Sequence, residues 1–238
     1  MTLTGNQSVV LFMYFNLYLY QIYSVSISYF LIFTGVNFKQ EIMSKKGQTT
    51  TTTNLEWNDF ISIITRLEHD ENYKFCLLIS TGVFTGLRIS DLLTLRYSDL
   101  LKGEKFSIRE QKTKKQRSIK VNKNLKELVE RIFKKTKIKD INQLIFINKY
   151  GTKPIDKSYV NVKLKEIMKK YRIKLDGNVS THTFRKTLGR RVMEINDYSN
   201  ESLVLLMELF GHSSMSITKR YLGIREKEIH DVYDSLTL

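Results

Sequence analysis

Apolar positions recur at helical spacing over most of the chain that follows residue 54. The first such segment predicts a helix over 56–67 with Asn54 as its N-cap, because its apolar side chains share one face. Gly86 is expected to end a second helix. This second helix is predicted over 73–84. Further helices are predicted from about 88 onward and over 123–134, 158–170, 181–194 and 201–210.

The spacing of apolar residues changes to two at 106–108 and again at 118–121, which predicts two short strands. The segment 112–117 between them, Lys-Thr-Lys-Lys-Gln-Arg, is strongly basic. The pattern therefore indicates an antiparallel hairpin with a basic tip. The fold class that follows is α+β, a mainly helical domain with one small antiparallel sheet.

The first part of the chain has a different composition, since no charged residue precedes Lys39. Its apolar stretch is long enough to span a bilayer, although polar residues interrupt it. Three interpretations stay open: a membrane anchor, an element packed on the domain, or a segment outside the working protein, which would then start at Met43. The abrupt change in composition favours the third. We expect an apolar extension over 1–42, a polar linker over 43–53, a catalytic domain over 54–238, and no membrane attachment.

The net charge of +15 favours a polyanionic partner, first of all nucleic acid. Residues 1–42 contain one lysine and one glutamate, so the excess of positive charge lies in the rest of the chain. The single cysteine, Cys76, stands in an apolar run and is expected to be buried. It cannot form an internal disulfide, which fits a reducing compartment such as the cytoplasm.

Two basic motifs could bind a phosphate. Arg88 follows Gly86 near a predicted helix start, and a guanidinium can bind phosphate through two hydrogen bonds. His182 and Arg185 are three residues apart, hence on one face of a helix. Taken alone, Arg88 could equally be a surface residue paired with Asp91, and His182 a capping or packing residue.

A third motif lies near the end of the chain. Gly211 is expected to stop a helix and to leave His212 in an accessible loop, nine residues before Tyr221. A tyrosine hydroxyl, with an ordinary pKa of about 10, is a weak nucleophile that needs cationic groups around it. Two arginines, two histidines and a late tyrosine in this order suit the attack of a tyrosine on a phosphodiester.

Together these motifs resemble those of the tyrosine recombinases (phage integrases), over roughly 54 to the C-terminus. The segments 85–91 and 182–185 are similar to the family's two arginine motifs, and 209–214 with Tyr221 to its third motif and nucleophile. The resemblance implies that Arg88 and Arg185 bind the scissile phosphate. It further implies that His182 assists proton transfer and that His212 contacts a phosphate oxygen.

The family uses a lysine of the hairpin as general acid for the leaving 5′ oxygen. Alignment assigns this role to Lys112, with Lys114 and Lys115 as close rivals. The residues expected to contact DNA outside the reaction centre are Lys114, Lys115, Arg117, Lys186, Arg190 and Arg191.

The reaction implied by the resemblance forms a 3′-phosphotyrosyl bond and then rejoins the DNA, without a metal ion or a cofactor. The implied partners are double-stranded DNA and further copies of the chain, as a tetramer on DNA and a monomer when free. An amphipathic tail with Ile229, Val232, Tyr233 and Leu236 could pack on its own domain or on a neighbour. The N-terminal core-binding domain of most members is not recognisable here.

Two other functions stay open at this stage. A type IB-like topoisomerase would relax DNA by the same chemistry, and a catalytically silent relative would only bind DNA. The presence of Arg88, His182, Arg185, His212 and Tyr221 together favours a site-specific recombinase.

Overall fold

The computed structural model describes residues 52–236, apart from the side chains of 225–229. The expectations for 1–42, for most of the linker and for Ile229 therefore lie outside the described residues. The elements in chain order are α1 (Trp57–His69), α2 (Tyr73–Thr85), α3 (Ile89–Leu92), α4 (Tyr97–Leu101), β1 (Lys105–Arg109), β2 (Gln116–Lys120), α5 (Lys123–Lys135), α6 (Lys157–Lys170), α7 (His182–Ile195), α8 (Asn200–Phe210), α9 (Met215–Leu222) and α10 (Ile224–Asp234).

Helix α2 is the centre of the larger core. Its residues from Phe75 to Val83 are all buried, Cys76 among them, and α1, α5 and α7 pack around it. The amphipathic helices α1 and α5 each bury one apolar face against it. Burial raises the pKa of the Cys76 thiol to about 12, so this cysteine behaves as a small apolar side chain.

A smaller apolar cluster lies toward the C-terminus. Met193 of α7 packs there with Leu203, Leu206 and Phe210 of α8. Tyr221 and Leu222 of α9 pack against the same cluster. This packing fixes α9, and with it Tyr221, relative to the second half of α7.

The two strands form the expected antiparallel hairpin, with Lys105 opposite Lys120 and Arg109 opposite Gln116. One face of the hairpin is buried through Phe106 and Ile119. The prediction of a mainly helical fold with one small antiparallel sheet is confirmed.

Local details differ from the sequence predictions. Asn54 is not the N-cap of α1, because the preceding residues are extended: the Thr53 amide donates to Asn178 O at 3.0 Å, and the helix begins after Glu56. Arg117 lies within β2 rather than at the hairpin tip. Helix α4 was missed, since only five residues form it.

The C-terminal helix α10 exposes the apolar side chains predicted to share a face. Val232, Tyr233 and Leu236 are 62%, 68% and 74% exposed. Their packing on the chain's own domain is therefore not observed. Between residues 52 and 236, no helix combines the length and apolar character that crossing a membrane requires.

Gly86 ends α2 in the left-handed conformation, with φ of 59°. An added Cβ would lie 2.7 Å from a methyl carbon of Leu188 and 3.0 Å from one of Leu209. We expect Gly86→Ala to lower the free energy of unfolding by about 2–3 kcal/mol, from backbone strain plus displacement of both leucines. Urea denaturation measures this change.

Gly151→Ala is the matched control, because Gly151 has φ of 71° and an added Cβ would meet no atom within 4 Å. This variant should lose only the strain contribution, about 1–2 kcal/mol. Equal losses in the two variants would contradict the packing argument at Gly86.

Candidate active site

Two arginine side chains meet at the ends of two helices. Arg185 donates from Nη1 to Gly86 O at 2.6 Å and from Nη2 to Phe210 O at 3.1 Å. Arg88 donates from Nη2 to the same Phe210 carbonyl, also at 3.1 Å. The structure thus brings together the two arginines predicted to bind one phosphate.

The helix ends explain why two like charges can lie side by side. Phe210 is the last residue of α8, and Gly86 and Gly211 adopt left-handed conformations just beyond α2 and α8. Carbonyls at a helix C-terminus lack helical partners and carry the negative end of the helix dipole. They therefore offset part of the repulsion between Arg88 and Arg185.

Arg185 is 4% exposed, and its guanidinium lies 4.6 Å from the centre of the Phe210 ring. Burial, with a smaller contribution from Arg88, lowers its pKa from the usual value. An arginine nevertheless stays charged in a protein. Its fixed position leaves the remaining N–H groups available to a ligand in a defined direction.

Arg88 is also anchored to the hairpin. Its Nη1 donates to Glu110 Oε2 at 2.8 Å, and Arg117 donates to Glu110 Oε1 at 2.9 Å. Burial tends to raise the pKa of Glu110, but hydrogen bonds from Thr113 and Arg117 and both arginine charges hold it at about 2. The expected alternative partner of Arg88, Asp91, instead accepts from the Gln111 amide at 2.8 Å.

Both histidines lie near these cations. His182 is the first residue of α7, and His212 Nδ1 is 3.0 Å from Thr218 Oγ1 of α9. Partial desolvation lowers the pKa of each ring, helped by Lys157 and Arg185 at His182 and by Arg185 and Arg88 at His212. Both imidazoles are therefore mainly neutral at pH 7.

Tyr221 lies between the two histidines. Its ring centre is 5.3 Å from that of His212 and 6.4 Å from that of His182. Its hydroxyl donates to His182 O at 3.4 Å. Desolvation raises the pKa of Tyr221, while Arg185 and Arg88 act in the opposite direction, so the hydroxyl is protonated at neutral pH.

A cleft of about 370 Å³ opens in front of the two arginines. Its charged and polar lining consists of Arg88, Ser90, Lys112, Lys157, Thr181, His182 and Arg185. This lining can bind a phosphate group. Tyr221 and His212 do not line the cleft, but the Tyr221 ring lies beside that of His182, which does. Within 52–236, no group of three or more histidine, cysteine or acidic residues could hold a metal ion.

The six side chains predicted to contact DNA occupy two regions. Lys114 and Lys115 are exposed in the hairpin turn, whereas Arg117 is only 20% exposed and bound to Glu110. On α7, Lys186 Nζ lies 5.6 Å from the centre of the Tyr221 ring. Arg190 and Arg191 both pair with Glu194, at 2.8 and 3.7 Å.

Two residues of the site were missed by the sequence analysis. Glu110 continues the buried face of β1, two residues after Ile108 and four after Phe106, so strand alternation could have placed it there. Lys157 begins α6 directly after Asp156, whose carboxylate accepts from the Ser158 amide at 2.7 Å. The capping pattern marks that helix start, but only the tertiary fold brings Lys157 to the cleft.

Comparison with known proteins identifies the family of this chain. The model of the phage integrase family matches residues 53–228. YoeC of Bacillus subtilis (strain 168), described as a probable integrase/recombinase, is 30% identical over 164 residues, which are 69% of this chain and 85% of YoeC. Tyrosine recombinase XerH of Campylobacter jejuni is 28% identical over 61% of this chain and 40% of its own length.

Two solved structures extend the comparison to the fold. The crystal structure of XerA recombinase has a TM-score of 0.58 and 17% identity, over 79% of this chain and 66% of XerA. A lambda integrase dimer bound to a core site has a TM-score of 0.56 and 17% identity, over 76% of this chain and 51% of the integrase chain. The chain spans about half the length of several relatives. It belongs to the phage integrase family, the tyrosine recombinases, and has the fold of their catalytic domains.

Proposed function

We propose that this protein is a site-specific DNA recombinase that cuts and rejoins DNA through Tyr221. The observation that carries the proposal is the shared Phe210 carbonyl, which holds the Arg88 and Arg185 guanidiniums together close to Tyr221. Two adjacent guanidiniums match the charge and geometry of one phosphodiester. The tyrosine beside them provides a nucleophile.

The protonation state of Tyr221 determines when it can act as a nucleophile. In the free protein desolvation holds the pKa of Tyr221 above its usual value. Attack requires loss of the hydroxyl proton, and a mainly neutral His182 can accept it directly or through water. Arg88 and Arg185 would stabilise the negative charge that develops on the phosphate oxygens, and His212 would contact one of those oxygens.

In the proposed first step the Tyr221 oxygen bonds to phosphorus and the bond from phosphorus to the 5′ oxygen breaks. The leaving oxygen needs a proton, which we assign to Lys112 in the hairpin turn. A 5′ hydroxyl of a second strand then gives its proton to Lys112 and attacks the phosphorus. The bond from phosphorus to the Tyr221 oxygen breaks, His182 returns the proton to Tyr221, and a phosphodiester is restored. One diester replaces another, so the cycle has no need of a nucleotide cofactor.

Double-stranded DNA is the proposed substrate, and the cytoplasm is the proposed location. A related XerH structure is described as bound to a palindromic substrate after cleavage. Strand exchange between two sites needs several protomers, so we propose a homotetramer on DNA. The exposed side chains of Val232, Tyr233 and Leu236 would contact a neighbouring protomer in that assembly.

The proposal is tested by selection from a library of nicked duplexes with randomised sequence. A nick beside the cleaved bond lets the short fragment diffuse away, which traps a covalent adduct. Adducts that resist detergent identify a cleavable sequence, and a plasmid with two copies should then give recombined products. Relaxation of the plasmid without recombination would favour the topoisomerase alternative, and binding without any adduct would favour the silent relative.

Lys157 is expected to bind a DNA phosphate, because it lines the cleft with Arg88, His182 and Arg185. We expect Lys157→Ala to weaken binding of the selected duplex several-fold. The slope of log K against log salt should become shallower by about one, the contribution of one phosphate contact. Fluorescence anisotropy over a range of salt concentrations measures both quantities.

Lys134→Ala is the matched control, since Lys134 lies in the last turn of α5 and is not among the cleft residues. The Lys134→Ala variant should keep the parent protein's DNA affinity and its slope of log K against log salt. An unchanged slope in Lys157→Ala would contradict a phosphate contact at that position.

A further inference from the structure

The carboxylate of Glu110 is an unusual feature of the hairpin because it is almost completely buried, with 2% of the side chain exposed. It accepts from Arg88 Nη1 at 2.8 Å, from Arg117 Nη1 at 2.9 Å and from Thr113 Oγ1 at 2.5 Å. A buried carboxylate is tolerated only where such donors surround it. These contacts join a phosphate-binding arginine, a strand and a turn.

The main chain of Glu110 also forms the turn. Its amide donates to Lys115 O at 3.0 Å, and the Lys114 amide donates to Glu110 O at 2.9 Å. One residue therefore closes the turn through its backbone and attaches that turn to Arg88 through its side chain.

Lys112 lies between two anchored neighbours. Gln111 before it donates from its amide to Asp91 Oδ1 at 2.8 Å and from Nε2 to Ser90 O at 3.0 Å. Thr113 after it is attached to Glu110. Lys112 itself is exposed and lines the cleft. On its C-terminal side, the backbone of Lys112 is therefore held relative to Arg88 through the bond from Thr113 to Glu110.

Arg88 keeps a second anchor when the Glu110 carboxylate is lost. Its second anchor, Phe210 O, belongs to a different helix and is independent of the hairpin. Loss of the negative charge at 110 should therefore leave Arg88 near the phosphate while the turn that carries Lys112 becomes less fixed.

We propose that Glu110 is a positioning residue that holds the Lys112 turn against Arg88, so that the lysine reaches the leaving 5′ oxygen. This inference rests on the proposed function. It predicts that loss of Glu110 impairs protonation of the leaving group more than binding of the phosphate.

The test uses two nicked duplexes of the selected sequence, one with the ordinary 5′ bridging oxygen and one with sulfur in its place. A thiolate, with a thiol pKa of about 8.5 in model compounds, leaves without being protonated. Substrate with sulfur therefore does not need the general acid. The variants are Glu110→Gln and Thr113→Val. The second removes the hydroxyl that donates to Glu110 and that also accepts from the Lys115 amide at 3.4 Å.

With the oxygen substrate we expect the rate of adduct formation to fall on the order of 100-fold in Glu110→Gln, as for loss of a general acid. Thr113→Val should lose about tenfold, a smaller part of the same contribution. With the sulfur substrate both variants should return to within about threefold of the parent rate, within the range of context effects on one contact. If Glu110→Gln does not fold at the assay temperature, the rates of Thr113→Val on the two substrates alone test the inference.

Glu68→Gln is the matched control, because Glu68 is also paired with two cations, Arg131 at 2.8 Å and Lys135 at 3.1 Å, and has a pKa of about 2. It should cleave both substrates at the parent rate. If the rate of each variant falls by the same factor with the oxygen and the sulfur substrate, the inference about Glu110 is overturned, but the proposed function is not. Failure of the parent protein to form an adduct with either substrate would instead refute the proposed function.

Discussion

Tyr221→Phe is expected to abolish the covalent adduct with nicked DNA while leaving DNA binding nearly unchanged. Phenylalanine keeps the ring contacts with His212 and Phe210 and removes only the hydroxyl, which donates to His182 O at a long 3.4 Å and also interacts with the Arg185 guanidinium. The free energy of unfolding should therefore change by less than about 1 kcal/mol. Adduct formation should fall below detection, since no other group supplies the attacking oxygen.

Tyr198→Phe is the control for this variant. Tyr198 follows α7, 43% exposed, with Arg190 stacked 5.2 Å from its ring centre. The control should form adduct at the parent rate. An adduct that persists in Tyr221→Phe and disappears in Tyr198→Phe would contradict the assignment of the nucleophile.

Arg185→Lys is expected to have the second largest effect, although it conserves the charge. Arg185 donates to Gly86 O and Phe210 O at once while its other N–H groups remain for a ligand. A single ammonium cannot make both bonds and also donate twice to a phosphate. We expect the rate of adduct formation to fall about 1,000-fold, as for loss of a buried donor to the transition state.

Arg191→Lys provides the comparison on the same helix. Arg191 is 39% exposed in its side chain and lies 5.0 Å from the centre of the Trp57 ring. Lysine can keep both its ion pair and a phosphate contact, so cleavage should change less than about threefold. Single-turnover rates are measured below the unfolding temperature of each variant. A rate for Arg185→Lys within tenfold of the parent would refute the role given to its two anchors.

Much of the site could be predicted because its signals are local. A glycine that must adopt a left-handed conformation follows α2 and α8, and Gly86 and Gly211 mark those ends in the sequence. Helical spacing then places His182 and Arg185 on one face. Residues that act together in space were thus recognisable from their order and spacing, before the contacts between them were known.

The contacts that hold the arginines could not be predicted in the same way. Phe210 O accepts from both Arg88 and Arg185, although Phe210 is 122 residues from Arg88 and 25 residues from Arg185 in the sequence. A backbone carbonyl carries no sequence signal, because every residue has one. The pairing of Arg88 with Glu110 rather than Asp91 likewise depends on how the hairpin lies against α3, which residue spacing does not determine.

The N-terminal organisation stays a prediction. The apolar extension over 1–42 and the linker over 43–53 fall outside the described residues, apart from Thr52 and Thr53. These two pair with Asn178, through a bridge at Thr52 and a hydrogen bond from the Thr53 amide at 3.0 Å. Two residues that precede the predicted start at 54 therefore contact the domain.

The chemical identity of the protein–DNA bond is the most direct evidence for or against cleavage by Tyr221. The trapped adduct would be digested with protease and nuclease, and mass spectrometry would locate the modified residue and the end of the attached strand. We expect a peptide containing Tyr221 joined through its oxygen to a 3′ phosphate, with a free 5′ hydroxyl on the released fragment. Attachment at another residue, or to a 5′ phosphate, would contradict this mechanism.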